Sequence, residues 1–430
     1  MTNDRRHDDR RPDRLAATTA AQRYQRGFFD DLRAHAAAGG EFALVNADTP
    51  HEILRTMGIP YVVNQWWASI VAAKQRAAGY LERLRERGYP DDIEQYNAAP
   101  LGGMFAPDPD ADPWGGLPQP SLVLAETTGD ATRKVFDVWA EEFPGTEFVA
   151  LESAAAHDVP THWWELMPWH WEDAVGTDRI DLLVGELTGL IRRLEDRTGR
   201  RFSESRFREV MALANEQAEY NRRTRDLIAA ARPCPVDVPA NVPAVMLPQW
   251  HRGTGYARDA ARALQDEVAD RVSAGAAVCR PERARLMWIG RGLWFDMGFY
   301  ERFRREYGAV FVWSMYLAIA ADGYARYGDD PLRALAARFA AFSDQLYTPP
   351  WSTEWYLKEA RAHGVDGVVH LVSDDARGGY FTTRALEDAG IPVLELHADN
   401  VDPRTTDRAT MTRTVAEWLE HRVLPDGPGV

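Results

Sequence analysis

A strand–helix–strand pattern in the last part of the chain limits it to an α/β fold. The β-branched pair at 368–369 forms one short strand pattern and residues 392–396 form a second, with a helix-compatible segment at 382–388 between them. Units of this kind build parallel sheets, in which ligands bind at the carboxyl ends of the strands. The pattern therefore predicts chemistry in the loops 371–380 and 397–404.

The length of the chain and its hydrophobic content predict two domains. With 430 residues, 45% of them hydrophobic, the chain can bury a large core. The predicted fold class is α/β, with two Rossmann-like, flavodoxin-like parallel-sheet domains and a helical layer that connects them. The predicted segments are a disordered tail (1–19), an N-terminal helix with the first α/β domain (20–175), a helical connecting region (176–282) with a proline-rich linker (233–243), a second α/β domain (283–424) and a C-terminal tail (425–430).

Charge and cysteine content exclude several classes of protein. The formal net charge of -15 opposes binding to nucleic acid. No run approaches the roughly 20 apolar residues that span a bilayer, and the charged N-terminus lacks the apolar core of a signal peptide. Because two cysteines cannot build a disulfide framework, we expect a soluble protein in the reducing cytoplasm.

Large aromatic residues cluster in two segments of the first half of the chain. Asn64, Trp66 and Trp67 follow a short apolar run, and residues 161–172 combine further tryptophans with two histidines. Aromatic walls with a polar tip suit a pocket for a bulky acyl group, although large aromatics also fill cores and interfaces. We take Asn64, Trp66 and Trp67 as candidate substrate-binding residues. The histidines lack the H-E-x-x-H spacing of a helical zinc site, so no metal site is predicted.

A strand-to-helix junction at 127–131 carries a second set of candidates. Backbone N–H groups of Thr128 and Gly129 could bind an anion or a thioester oxygen, with Asp130 as a catalytic acid or base. Capping of the helix that follows is the alternative reading of the same residues.

The junction after the strand pattern at 368–369 carries a third set. Ser373 is a candidate binding residue, and Asp374, with Asp375 beside it and His370 nearby, is a candidate catalytic residue. A carboxylate pair can act as a general base or bind a hard cation. Adjacent acidic residues in a loop also commonly cap the next helix.

Several segments match, in order, the pattern of a known family. They are 88–96 (G-Y-P-D-D-I-E-Q-Y), 122–139 (L-V-L-A-E-T-T-G-D-A-T-R-K-V-F-D-V-W), 194–199 (L-E-D-R-T-G), 285–290 with 307–310, and 364–420 with its G-I-P-V-L-E-L and T-M-T-R-T-V-A-E-W-L-E runs. Over roughly residues 40–420 the chain resembles the 2-hydroxyacyl-CoA dehydratase and benzoyl-CoA reductase family, as a divergent D-component type subunit. The resemblance implies the two-domain fold given above.

The resemblance also implies an iron–sulfur site, for which this chain lacks the ligands. Family members hold a four-iron, four-sulfur cluster with cysteines from three loops, because thiolates suit such clusters. The matching positions here are Glu94, Gly129 and a residue within 373–377, none of them cysteine. Cys234 and Cys279 lie in other parts of the sequence. No cofactor is therefore expected on conventional ligands of this chain, and a cluster is expected only on a partner subunit.

Two functional hypotheses follow from the resemblance and the missing cysteines. In the first, the chain is an enzyme subunit that binds acyl-CoA or a similar thioester and pairs with a cluster-bearing homologous subunit, served by an ATP-dependent activator. In the second, it is a cluster-independent lyase or hydratase, active without such a subunit or as a homodimer, with acid–base chemistry from four residues. Those residues are Glu94, Asp130, His370 and Asp374. A purely scaffolding role has no positive support in the sequence.

Overall fold

The computed structural model describes residues 14–105, 112–126, 129–152, 160–347, 351–373 and 379–425, with side chains at 341–347 left undescribed. Two four-stranded parallel sheets form its framework. The strands of the first sheet are β1 (Ala43–Val45), β2 (Tyr61–Val63), β3 (Leu122–Glu126) and β4 (Glu147–Leu151), and those of the second are β5 (Ala284–Ile289), β6 (Ala309–Ser314), β7 (Gly367–Val372) and β8 (Val393–His397).

Helices surround both sheets and fill the region between them in the sequence. They are α1 (Ala16–Ala37), α2 (His51–Met57), α3 (Asn64–Ala73), α4 (Ala77–Glu86), α5 (Gln95–Met104), α6 (Asp130–Glu142), α7 (Trp163–Leu166), α8 (Trp171–Val175), α9 (Thr177–Thr198), α10 (Glu204–Ala230), α11 (Val238–Gln249), α12 (Gly255–Ser273), α13 (Arg304–Tyr307), α14 (Met315–Asp322), α15 (Pro331–Tyr347), α16 (Trp351–His363), α17 (Gly379–Asp388) and α18 (Arg408–Trp418). Shorter helical turns cover Pro113–Gly115, Trp294–Glu301, Pro403–Thr405 and Leu419–Val423.

The two sheets have the same strand order, which confirms the predicted fold class. The first sheet runs β2-β1-β3-β4 and the second runs β6-β5-β7-β8, with every pair parallel. In both, the chain leaves the first strand toward one side and later returns to its other side. Such a reversal opens a crevice at the carboxyl ends of the two central strands, where open α/β sheets bind ligands. The fold thus offers one such place at β1 and β3 and another at β5 and β7.

Buried strands and helices explain why these segments form sheets. Every residue of β1, β3, β5 and β6 is buried, as expected of strands covered by helices on both faces.

A buried ion-pair cluster connects the first domain to the helical layer. Glu52 of α2 accepts hydrogen bonds from Arg252 Nε at 2.7 Å and from Arg338 Nη1 at 2.7 Å. Burial acts to raise the pKa of Glu52, but the two guanidinium groups outweigh it and hold that pKa well below its usual value.

The structure differs from the sequence-based segments at two places. The first helix begins at Ala16, inside the segment predicted as a tail. The proline-rich segment 233–243 is only in part a connection, because α11 begins at Val238 and is largely buried. Asp237 caps it by accepting a hydrogen bond from Ala240 N at 3.3 Å. Pro239 lies in the first turn, where a helix needs no N–H donor, so this proline does not oppose the helix.

Within the described residues, no helix combines the length and the apolar character that crossing a membrane requires.

Candidate active site at the carboxyl ends of the two sheets

The loops that follow β1 and β5 come close to each other. Asp48 lies in the loop after β1, and Arg291 lies in the loop after β5. The Arg291 guanidinium carbon is 5.2 Å from the ring centroid of Tyr96, which belongs to α5 of the first domain. Asp48 is close enough to Arg291 and to Tyr96 for their charges to affect each other's titration. We call Asp48, Tyr96, Arg291, Trp294 and Tyr316 the interdomain site.

Residues of the second domain form an aromatic and hydrogen-bonded wall of this site. The rings of Trp294 and Tyr316 lie 5.4 Å apart between centroids. Gly292 N donates a hydrogen bond to Tyr316 Oη at 2.7 Å, which fixes the phenol beside the β5 loop. Trp294 and Tyr316 are each partly exposed, so a ligand can contact them.

A close approach of two backbones places Arg291. Gly290, with φ at +100°, occupies a conformation that favours glycine, and a Cβ there would lie 2.7 Å from Leu371 O. Glycine therefore lets the end of β5 run against the end of β7. Arg291 and Ser373 are thus brought to neighbouring strand ends, and each makes polar contacts of its own.

Asp48 is partly exposed although charged and aromatic groups surround it. Removal from water raises the pKa of the Asp48 carboxyl to about 6, while Arg252 and Arg291 act in the opposite direction. Among the described residues, the tyrosines that interact with it electrostatically are Tyr96 and Tyr324. Burial raises the pKa of Tyr96 well above its usual value and that of Tyr324 to about 12, so both phenols are neutral near pH 7.

A polar network joins the loop after β1 to segment 88–96 and to the first turn of α6. Gln65 Nε2 donates to Oδ1 of Asn46 and to Oδ1 of Asn97, the latter at 2.9 Å. Asn97 Nδ2 donates to Glu94 Oε2 at 2.8 Å, and Thr132 Oγ1 donates to Glu94 Oε1 at 2.9 Å. The loop that carries Glu94 therefore meets the first turn of α6, and both carboxylate oxygens of Glu94 already accept hydrogen bonds.

Asn64, Trp66 and Trp67 lie deeper than a binding wall. Asn64 is fully buried and donates to the backbone oxygen of Asn97 at 3.2 Å. Trp66 is 3% exposed and Trp67 is 1% exposed. Both pack on Phe29 of α1, with the Trp67 ring 4.7 Å from it between centroids. This placement corresponds to the core-filling alternative for large aromatics.

Gly129 and Asp130 lie at the start of α6. Gly129 is the residue before the helix, and the exposed Asp130 accepts a hydrogen bond from Ala131 N at 2.9 Å. A carboxylate in the first turn stabilises a helix through its dipole, but no side chain among the described residues caps α6 by a hydrogen bond. The neighbouring candidate Thr128 lies outside the described residues.

His370 lies within β7, two residues before the strand ends, and is 4% exposed. Its Nδ1 is 3.0 Å from Thr383 Oγ1, and that hydroxyl donates to Glu395 Oε1 at 2.7 Å. Burial lowers the pKa of His370 to about 4, with Glu395 acting in the opposite direction. Ser373 is partly exposed just after β7, and Asp374 lies outside the described residues.

The side chains at the three loop positions do not fit an iron–sulfur cluster. The positions carry no thiol, and both oxygens of Glu94 are engaged in the polar network. Cys234 is fully buried elsewhere, its Sγ is 3.0 Å from Val236 O, and burial raises the pKa of its thiol to about 11. Among the described residues, no group of three or more His, Cys, Asp or Glu side chains could hold a metal ion.

Sequence reasoning missed the most polar part of the interdomain site. Arg291 of the second domain lies 195 positions after Tyr96 and still further after Asp48 of the first domain. The strand that precedes Asp48, β1, has only three residues. One signal was available: the apolar run 42–45 is followed by N-A-D-T-P, a turn-forming sequence that contains a carboxylate. That pattern marks a strand end, and strand ends are where ligands bind.

Comparison with known proteins identifies the family of this chain. Residues 46–420 match the family model of the 2-hydroxyglutaryl-CoA dehydratase D-component. The chain is 25% identical, over 84% of both chains, to the alpha subunit of (R)-phenyllactyl-CoA dehydratase from Clostridium sporogenes. It is 23% identical to the alpha subunit of (R)-2-hydroxyisocaproyl-CoA dehydratase from Clostridioides difficile, over 58% of this chain and 63% of that one. Since the family model covers most of its length, the chain belongs to the 2-hydroxyglutaryl-CoA dehydratase D-component family.

Proposed function

We propose that this chain is a 2-hydroxyacyl-CoA dehydratase-like subunit that binds an acyl thioester at the interdomain site. The observation that carries the proposal is the meeting of the β1 and β5 loops, with Asp48 and Arg291 at the carboxyl ends of two sheets of equal topology. Open α/β sheets bind ligands at such positions. Both similar alpha subunits belong to enzymes named for acyl-CoA substrates, which supports a thioester as the ligand.

The side chains of the site suit the parts of an acyl thioester. The partly exposed rings of Trp294 and Tyr316 offer apolar surface to an acyl chain. The neutral phenol of Tyr96 can donate a hydrogen bond, and Arg291 supplies positive charge for a carbonyl or phosphate oxygen.

Calorimetric titration with (R)-phenyllactyl-CoA tests the binding proposal. We expect Arg291→Met to weaken binding about tenfold or more, since a charge-assisted hydrogen bond contributes about 1.5–3 kcal/mol. Arg413→Met is the matched control, because Arg413 is exposed on α18. Equal affinities for the wild type and Arg291→Met would place the ligand elsewhere.

We further propose that the chain pairs with a homologous, cysteine-bearing subunit and that any iron–sulfur cluster of the enzyme lies on that subunit. The support is chemical: neither the three loop positions nor the distant Cys234 and Cys279 offer a set of thiolate ligands. An ATP-dependent activator remains part of this proposal. Anaerobic copurification from the native source should yield the homologous subunit. Iron and acid-labile sulfide should follow that subunit when the two are separated, whereas a stable cluster on this chain would contradict the proposal.

A cluster-independent lyase or hydratase is the second candidate function. The observation that favours it is a partly exposed carboxylate, Asp48, with a pKa near 6 at the interdomain site, since such a group can act as an acid or a base at neutral pH. Glu94 and His370 are less suited to that work, because the Glu94 oxygens are engaged and His370 is buried. Turnover of a 2-hydroxyacyl-CoA by this chain alone, free of iron, would favour this candidate over the paired enzyme.

A further inference from the structure

The loop that carries Asp48 is held in one conformation by buried neighbours. Thr49 Oγ1 donates to Asn46 O at 2.7 Å, and His51 Nε2 is 3.0 Å from the same oxygen. Thr49 and His51 are both fully buried. Asp48, between these anchors, stays partly exposed, and its carboxylate forms no hydrogen bond or ion pair with the described part of the chain. The Asp48 carboxylate therefore lies on a fixed loop, and the described part of the fold does not use it as a hydrogen-bond or ion-pair partner.

Two arginines of different function stand beside Asp48. Arg252 is 1% exposed, donates through Nε to Glu52 and donates through Nη2 to Thr49 O at 2.8 Å. Its Nη1 is buried and has no hydrogen-bond partner among the described residues. Arg291 is partly exposed and lies over Tyr96. One arginine is thus fixed by the core while the other borders the ligand space.

We propose that the carboxyl group of Asp48 hydrogen-bonds to the 2-hydroxyl group of the bound acyl thioester and is the residue of the interdomain site that recognises this hydroxyl. No covalent bond changes: the protonated carboxyl donates its O–H to the hydroxyl oxygen of the ligand, and the ionised carboxylate accepts the O–H of the ligand. Arg252 and Arg291 stabilise the ionised form. The inference rests on the proposed function, because it requires the thioester to bind beside Asp48.

The groups that face Asp48 make this role chemically consistent. Arg252 and Arg291 are the cations that affect its titration, and Tyr96 and Tyr324 are the phenols that do so. Because the phenols stay neutral near pH 7, they do not compete as acids in that range. Asp48, whose pKa lies near 6, is the group among these that changes protonation close to neutrality.

Calorimetry in buffers of different ionisation enthalpy tests whether binding of the ligand is linked to protonation of Asp48. The full-length chain is titrated with (R)-phenyllactyl-CoA, together with any subunit that copurifies. Since a bound acyl chain further shields Asp48 from water, the wild type should take up as much as about half a proton per ligand at pH 6 and almost none at pH 8. Asp48→Asn should abolish this uptake. Asp259→Asn, at an exposed position of α12, should keep it.

A second ligand separates contact with the hydroxyl from general effects on the site. Asp48→Asn should weaken binding of (R)-phenyllactyl-CoA about tenfold at pH 6, the size expected for a lost hydrogen bond to an ionisable group. It should leave binding of 3-phenylpropionyl-CoA, which has no 2-hydroxyl, within about twofold of the wild type. Equal losses for both thioesters, or unchanged proton uptake in Asp48→Asn, would overturn the inference.

The outcomes also distinguish this inference from the proposed function. If the wild type binds neither thioester between pH 5.5 and pH 8 in the presence of its partner, the proposed function fails and this inference falls with it. If the wild type binds both but Asp48→Asn behaves like the wild type, only the inference fails. Thermal unfolding of the ligand-free variants shows that each is folded before its binding is compared.

Discussion

Arg291 of the second domain lies over the ring of Tyr96 of the first, with 5.2 Å between the guanidinium carbon and the ring centroid. The contact joins the ends of two sheets that have the same strand order. A cation over an aromatic face is stabilised by the ring quadrupole, and desolvation strengthens the attraction. The same pair therefore contributes one contact between the domains and borders the interdomain site.

Replacing Arg291 with methionine should lower stability slightly. Loss of the cation over Tyr96 should reduce the free energy of unfolding by about 0.5–1 kcal/mol, the range for a partly exposed pair. Urea unfolding followed by tryptophan fluorescence measures this loss. Arg413→Met should change the free energy by less, and a loss of several kcal/mol in Arg291→Met would show that Arg291 has a larger structural role.

Replacing Glu52 with glutamine should destabilise the chain strongly. The change leaves the buried guanidinium groups of Arg252 and Arg338 without their carboxylate, which typically costs about 3–5 kcal/mol. Glu216→Gln is the control, because Glu216 pairs with Arg258 at an exposed site and such pairs contribute at most about 1 kcal/mol. Equal and small losses in urea unfolding for both variants would contradict a structural role of the buried cluster.

The pH dependence of stability should report on Asp48. Its pKa is raised on folding, from an ordinary value near 4 to about 6, so the folded state binds more protons between these values. Stability relative to Asp48→Asn should therefore rise by about 1–3 kcal/mol as the pH falls from above 6 to 4. Free energies of unfolding measured at intervals across this range test the sign. A wild-type curve parallel to that of Asp48→Asn would show that the carboxyl keeps an ordinary pKa.

His370 should give a slope of the opposite sign. Burial lowers its pKa to about 4, so the unfolded state binds the additional proton as the pH falls below about 6.5. Stability relative to His370→Gln should therefore decrease as the pH falls from 7 to 4. His421, which is exposed near the C-terminus, provides the control His421→Gln, and the stability of this variant should follow that of the wild type. If the stability of His370→Gln fell as much as that of the wild type between pH 7 and pH 4, groups other than His370 would cause the decrease.

The fold could be predicted from the sequence because its signals are local. Apolar runs bounded by glycine or proline mark β7 and β8, and their alternation with helical segments indicates parallel sheets. The three-residue strand β1 gave too short a signal to be recognised in the sequence, and α11 was hidden because Pro239 and Pro243 resemble part of a linker.

The site could be predicted only in part, because its residues meet through long-range contacts. Segments 88–96 and 122–139, which the family pattern singled out, touch through the hydrogen bond from Thr132 to Glu94. No local pattern brings Asp48 beside Arg291, since that proximity depends on how the two domains pack. Trp66 lies in the core because neighbouring side chains bury it, and sequence spacing does not reveal such burial.

Hydrogen–deuterium exchange with and without (R)-phenyllactyl-CoA tests the central claim most directly, because it locates the ligand on the full-length chain. Thioester binding at the interdomain site predicts slower exchange in peptides covering 46–51, 95–98 and 290–294, with little change in the exposed turns of α9. Slower exchange confined to other regions, such as 161–172, or no change at saturating thioester would contradict the account.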